Sequence, residues 1–123
     1  MDGRRLLPVA AALCMAVGLV GCASNPVDAR SKPPTFELTS AKDAKTVAGC
    51  IATAWESAYR VSSPRSRPSV GGYAVWIEDS VGLGKDVPFV ADVDDTKTGS
   101  ATRYYSNAIS AKAMDKIVVD CQK

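Results

Sequence analysis

From Ala41 onward, apolar side chains recur at steps of three and four: Ala41, Ala44, Ala48, Ile51 and Trp55. That spacing draws one stripe along a helix, which Val47, Ala54 and Ala58 widen on one flank. Lys42, Lys45, Thr46 and Thr53 fill the opposite side, and Ser40 followed by Asp43 has the form of a capping box. A helix is therefore predicted over about Ser40 to Tyr59. It cannot continue through Arg60 to Ser69, where Pro64 and Pro68 stand among arginines.

The period then changes to two. Tyr73, Val75 and Ile77 alternate in one run, and Val87, Phe89, Ala91 and Val93 in the next. A third run, Ala101 to Ser106, follows the turn-rich stretch Asp94 to Gly99, so the last two strands read as a hairpin. Val81 to Asp86 reads as the loop joining the first two, and Phe36 to Thr39 as a short edge strand. Helical spacing resumes from about Asn107 to Cys121, with Ile109, Ala113, Ile117 and Cys121 on one face and Met114 and Val118 beside it. These elements predict an α+β domain over residues 36–123. An antiparallel three-stranded meander carries two helices packed on one face, that of Tyr73, Val75, Ile77, Phe89, Ala91 and Val93.

The chain ahead of this domain has a different character. Arg4 and Arg5 precede an apolar run from Leu6 to Val20, shorter than the ~20 residues of a spanning helix and suited to a signal peptide. The run closes on Leu19-Val20-Gly21-Cys22, an aliphatic residue, a further aliphatic one, a small one, then cysteine. In these residues the chain resembles bacterial lipoprotein precursors. The resemblance implies a leader over residues 1–21 and a Cys22 that takes a diacylglyceryl group on its thiol and an acyl chain on its freed amine. Ala23 and Ser24, with no aspartate after the cysteine, imply export to an outer membrane, with the domain facing the periplasm. An ordinary signal peptide with a coincidental cysteine, or an uncleaved apolar helix, is the alternative. Residues 22–35 contain three prolines and few apolar groups, and read as a flexible tether.

With Cys14 in the leader and Cys22 lipidated, Cys50 and Cys121 remain. In an oxidising compartment such a pair reads as one disulfide, two buried free thiols being the alternative.

Composition narrows the possible chemistry. Of 123 residues, 46% are hydrophobic, 23% charged and 7% aromatic, with a formal charge of +2. That excludes a disordered charged tail and a multi-span membrane protein, and it argues against a nucleic-acid partner. The chain has no histidine, which removes Ser-His-Asp and Cys-His catalysis and the commonest metal ligand. No cofactor or metal is expected.

Local motifs reduce to ordinary features. Asp92 and Asp94 have the spacing of the first calcium ligands of an EF-hand. Lys97 then occupies the glycine position, and Arg103 stands where the bidentate glutamate belongs. Gly82-Leu83-Gly84-Lys85 lacks both the spacing and the hydroxyl of a phosphate loop. Glu78 with Asp79, and Asp94 with Asp95, are neighbours that point to opposite faces of a strand rather than across a cleft. No nucleophile–base pair can be named, so the domain is expected not to be an enzyme.

Two features remain as candidate partner-binding residues. Arg65 and Arg67, with Arg60, form a local positive patch. Trp76 points away from the helices toward the face carrying Val90, Asp92 and Asp94, where it either merely shields that face or, in the binding reading, is exposed to an envelope protein or cell-wall partner. The expected function is thus a membrane-anchored, non-catalytic binding or structural component of the envelope. An inhibitor or immunity protein against a secreted hydrolase, presenting Arg65 or Arg67 on a rigid loop, is the second reading.

Overall fold

The computed structural model describes residues 26–59, 63–81, 84–107 and 111–123. The leader, the lipobox residues Leu19, Val20, Gly21 and Cys22, and also Arg60, Leu83 and Ile109 lie outside the described residues. The elements follow in the order α1 (Pro26–Ala29), β1 (Phe36–Ser40), α2 (Ala44–Ala58), β2 (Arg65–Ser69), β3 (Gly72–Val81), β4 (Gly84–Thr96), β5 (Gly99–Ser106) and α3 (Lys112–Asp120). Five strands form one sheet in the order β1-β5-β4-β3-β2, each neighbouring pair antiparallel.

The α+β class therefore holds, but the predicted three-stranded meander is only the centre of a five-stranded sheet. The sequence pattern underweights β2 because Arg65-Ser66-Arg67-Pro68-Ser69 is exposed throughout and buries no face. An edge strand needs only one ladder. Arginine and proline suit its outer side because they discourage a further strand from adding.

Helix α2 carries the chain from the β1 edge to the β2 edge across the inner face of the sheet. It starts at Ala44 rather than Ser40. Asp43 is its N-cap, its carboxylate accepting from the Thr46 N–H at 2.8 Å, while Asp95 accepts from the Ala44 N–H at 2.9 Å. Two donors left over at the first turn are satisfied in this way, and the positive end of the helix faces carboxylates. Ser40 instead ends β1 and donates its hydroxyl to the Gln122 carbonyl at 2.6 Å.

The inner core joins Val47, Ala48, Ile51 and Trp55 of α2 to Val75, Ile77, Phe89, Ala91, Val93 and Tyr104 of the sheet and to Met114 and Val118 of α3. Trp55 is fully buried, its indole N–H donating to the Met114 carbonyl at 3.3 Å. The buried stripe of α3 is Met114, Val118 and Cys121, with Ala113 exposed, so the predicted face is turned by about one residue. Cys50 and Cys121 stand at disulfide distance, with Cα atoms 5.8 Å apart and a separation of 71 in sequence. The pair ties the second turn of α2 to the end of α3, the contact foreseen from their stripes.

Strand β4 departs from simple alternation. The register passes from Ile77↔Phe89 to Asp79↔Asp86, so one residue of β3 faces two of β4, Val87 and Pro88. Pro88 has no N–H to give to a ladder, and a bulge accommodates it. The bulge changes parity. Val87, which alternates with Phe89 in the sequence, packs on the outer face with Val90 and Tyr105.

Candidate functional site

The outer face of the sheet is where the predicted Trp76 surface lies. Strand pairing sets Arg67 beside Ala74, Arg65 beside Trp76, Trp76 beside Val90, Val90 beside Tyr105 and Asp92 beside Arg103. Side chains on this face thus form an apolar patch of Ala74, Trp76, Val87, Val90 and Tyr105, with charged groups around it.

That patch is covered by the chain itself. Residues 26–35, expected to belong to a flexible tether, run across it. Pro26 opens the single turn α1, whose Ala29 is buried against the apolar patch. The next residue, Arg30, makes two parallel bonds to Asp92: Nε to Oδ2 at 2.6 Å and Nη2 to Oδ1 at 2.7 Å. This fork matches the planar carboxylate, and the hydrogen bond to Asp92 raises the pKa of Arg30 further. Past it, the Thr35 N–H donates to the Tyr104 carbonyl at 2.7 Å and the Thr35 hydroxyl accepts from the Ser106 N–H at 3.0 Å. The segment is a strap pinned at both ends.

Trp76 is consequently not presented to solvent. It is only 8% exposed, covered by the strap and by β2. Its indole N–H donates to Glu78 at 3.0 Å, and the Arg67 guanidinium lies over its ring, 5.8 Å from the centroid. The face lies where the sequence placed it, opposite the two long helices. The exposure expected in the binding reading is wrong because an apolar patch beside a half-covered carboxylate takes up a segment that offers both an apolar and a cationic side chain, and Ala29 and Arg30 of this chain supply them.

Arg65 and Arg67 come together on this face, on the edge strand β2 rather than on a projecting loop. Arg65 pairs with Glu78 at 3.3 Å, so both arginines bear on Trp76 or its hydrogen-bond partner. Cys50 and Cys121 are remote, on the helical layer. The acidic run of β4 is also used internally: Asp92 holds Arg30, Asp94 holds Arg103 at 2.9 Å, and Asp95 caps α2. Their partners explain the residue types without a metal, and among the described residues no three acidic or cysteine side chains converge as a metal site.

The outer face retains an open groove of about 410 Å³ between α1 and β2, lined by Pro26, Val27, Arg67, Pro68, Trp76 and Glu78 among others. The tyrosines with shifted ionisation lie elsewhere. Tyr59 donates to Asp79, and burial with that bond pushes its hydroxyl up to about 12. Burial likewise raises Tyr104, which donates to Asp115 at 2.7 Å. Both serve as protonated donors.

Arg30 is the residue that sequence reasoning missed. A signal was present in Asn25-Pro26-Val27-Asp28, with a capping residue type, proline at a first helical position and an acid in the first turn. So short a signal is masked in the sequence by the prolines at 33 and 34. No protein-family model matches this chain, and neither the curated proteins nor the solved structures searched contain a match.

Proposed function

We propose that this protein is a lipid-anchored, non-catalytic component of a bacterial cell envelope, held to the membrane through Cys22. The observation that carries this reading is the cysteine arrangement. Cys50 and Cys121 stand at disulfide distance within the fold, as a chain exported to an oxidising compartment would have them. The two other cysteines are Cys14, inside the apolar leader, and Cys22, at the end of Leu19-Val20-Gly21-Cys22. The domain's own role is binding or structural, toward an envelope protein or cell-wall partner. A charged residue carried on a rigid loop would favour the inhibitor reading, whereas Arg65 and Arg67 lie on the exposed edge strand β2.

The test is Cys22→Ser in the producing cell, read by palmitate labelling, intact mass and membrane fractionation. The wild-type protein should carry thioether-linked lipid and fractionate with membranes, while the variant remains an unprocessed or mislocalised precursor. Equal labelling and equal membrane association of the two would sink the proposal.

A further inference from the structure

We infer, resting on the lipidation of Cys22 proposed above, that the domain docks directly on the lipid headgroup surface, with the β2–β3 turn and α1 as the membrane-contacting side. The first support is length. Only Ala23, Ser24 and Asn25 separate Cys22 from Pro26, where the folded strap begins. At no more than ~3.6 Å per residue, this link spans at most about 14 Å. A domain of roughly 100 residues has a radius of gyration near ~13 Å, so the link is about as long as that radius. The domain cannot swing freely on so short a link. The side on which the chain arrives must face the bilayer.

The second support is what occupies that side. Among the described residues, large apolar side chains stand exposed at Val27 (69%), Val70 (102%) and Val119 (38%). The two most exposed flank the arrival point. Val27 lines the groove that Arg67 and Pro68 share with Arg30 and Ser69. Val70, at the tip of the β2–β3 turn, lines the adjoining groove that Arg30 and Ser69 also border. Gly71, in the left-handed region at φ 85°, shapes this turn, and the Gly71 carbonyl accepts from the Asp95 N–H at 2.8 Å, holding the tip in place. A fully exposed valine on a fixed turn gains nothing from water and something from the acyl boundary. Arg65, whose side chain stays 63% exposed while paired with Glu78, and Arg67, over Trp76, lie on the adjoining strand and are long enough to turn toward lipid phosphates while their stems stay on the protein. The anchor supplies an effective concentration on the order of millimolar, so even a weak contact is populated.

The experiment uses full-length protein purified lipidated from membranes and placed on vesicles of phosphatidylethanolamine and phosphatidylglycerol. Val70→Cys and Val119→Cys each receive a polarity-sensitive fluorophore, Val119 being on α3, on the opposite face of the sheet. Val27→Cys replaces Val70→Cys should the turn variant misfold. The label at 70 should shift to the blue and become at least threefold less accessible to an aqueous quencher than the label at 119. Equal accessibility on protein that floats with the vesicles would overturn the docking while leaving the anchor intact. Shielding at 119 instead would reverse the orientation and equally overturn it. Protein of unacylated mass that fails to float would remove the anchor, and the docking with it.

Discussion

Replacing Arg30 by methionine keeps most of the aliphatic stem and removes the fork that pins the strap. The magnitude follows from the geometry. Two charge-assisted bonds of 2.6 and 2.7 Å are lost, from a pair whose side chains are 31% and 11% exposed. A fully exposed pair is worth roughly 0.2–1 kcal/mol, and a buried hydrogen bond to a charged group about 1.5–3. The partial exposure of Arg30 brings screening, which sets the coupling with Asp92 at about 1–2 kcal/mol. Arg103 faces Asp92 across the β4–β5 ladder and offsets part of the loss by turning from Asp94. At about 4–8 °C per kcal/mol for a domain of this size, Arg30→Met should lower Tm by roughly 4–15 °C.

Local release should be visible before global melting. Trp55 is fully buried in the inner core, so any gain in acrylamide quenching reports Trp76. Ser31, whose N–H donates to the Asp28 carbonyl at 3.1 Å, should exchange its amide faster. A double-mutant cycle with Asp92→Asn then isolates the pair. A coupling near zero, with Trp76 quenching and Ser31 exchange unchanged in Arg30→Met, would refute the strap as an ion-pair-held element.

The remaining expectations concern the scaffold. A reductant should lower Tm strongly, because a bridge across 71 positions removes about 4 kcal/mol of chain entropy from the unfolded state; a melting curve indifferent to reductant, or two free thiols by mass, would contradict it. Gly99→Ala should destabilise by about 2 kcal/mol or more, since φ is 151° and an added Cβ would sit 2.0 Å from the Ser40 carbonyl oxygen; denaturant titration with an unchanged midpoint would count against the close packing of this turn on the β1–α2 link. Tyr59 has a folded pKa raised from 10.0 to about 12, so its contribution is complete below pH 10 and lost as pH climbs toward 12. Tyr59→Phe should therefore flatten the alkaline fall in Tm relative to wild type, and parallel curves for the two proteins would argue against that linkage.

Much of the domain could be read from local pattern. The two-residue alternation of Tyr73 to Ile77 and Phe89 to Val93 marks a half-buried sheet face, since a strand places alternate side chains on opposite sides. The stripe from Ala44 to Trp55 marks the helix that covers it, and the residual cysteine pair lies where the two helices meet. Local signals fared worse at the edges. β2 has no buried face to betray it, and the capping box at Ser40 gave way to Asp43 because Ser40 was already paired in β1. Val87 changed sides through a bulge at Pro88 that depends on the partner strand.

The site divides in the same way. Sequence alone determined that Trp76 shares a face with Val90, Asp92 and Asp94, and that this face turns away from the helices, because both facts follow from strand parity. Only the tertiary structure decided that the face is filled, and by what. Arg30 and Asp92 are 62 positions apart, and no periodicity couples residues across that distance. Their meeting depends on the assembled sheet, which presents the Asp92 carboxylate beside an apolar patch. A short segment with one alanine and one arginine then satisfies both needs, giving up chain entropy for a forked ion pair and the burial of Ala29.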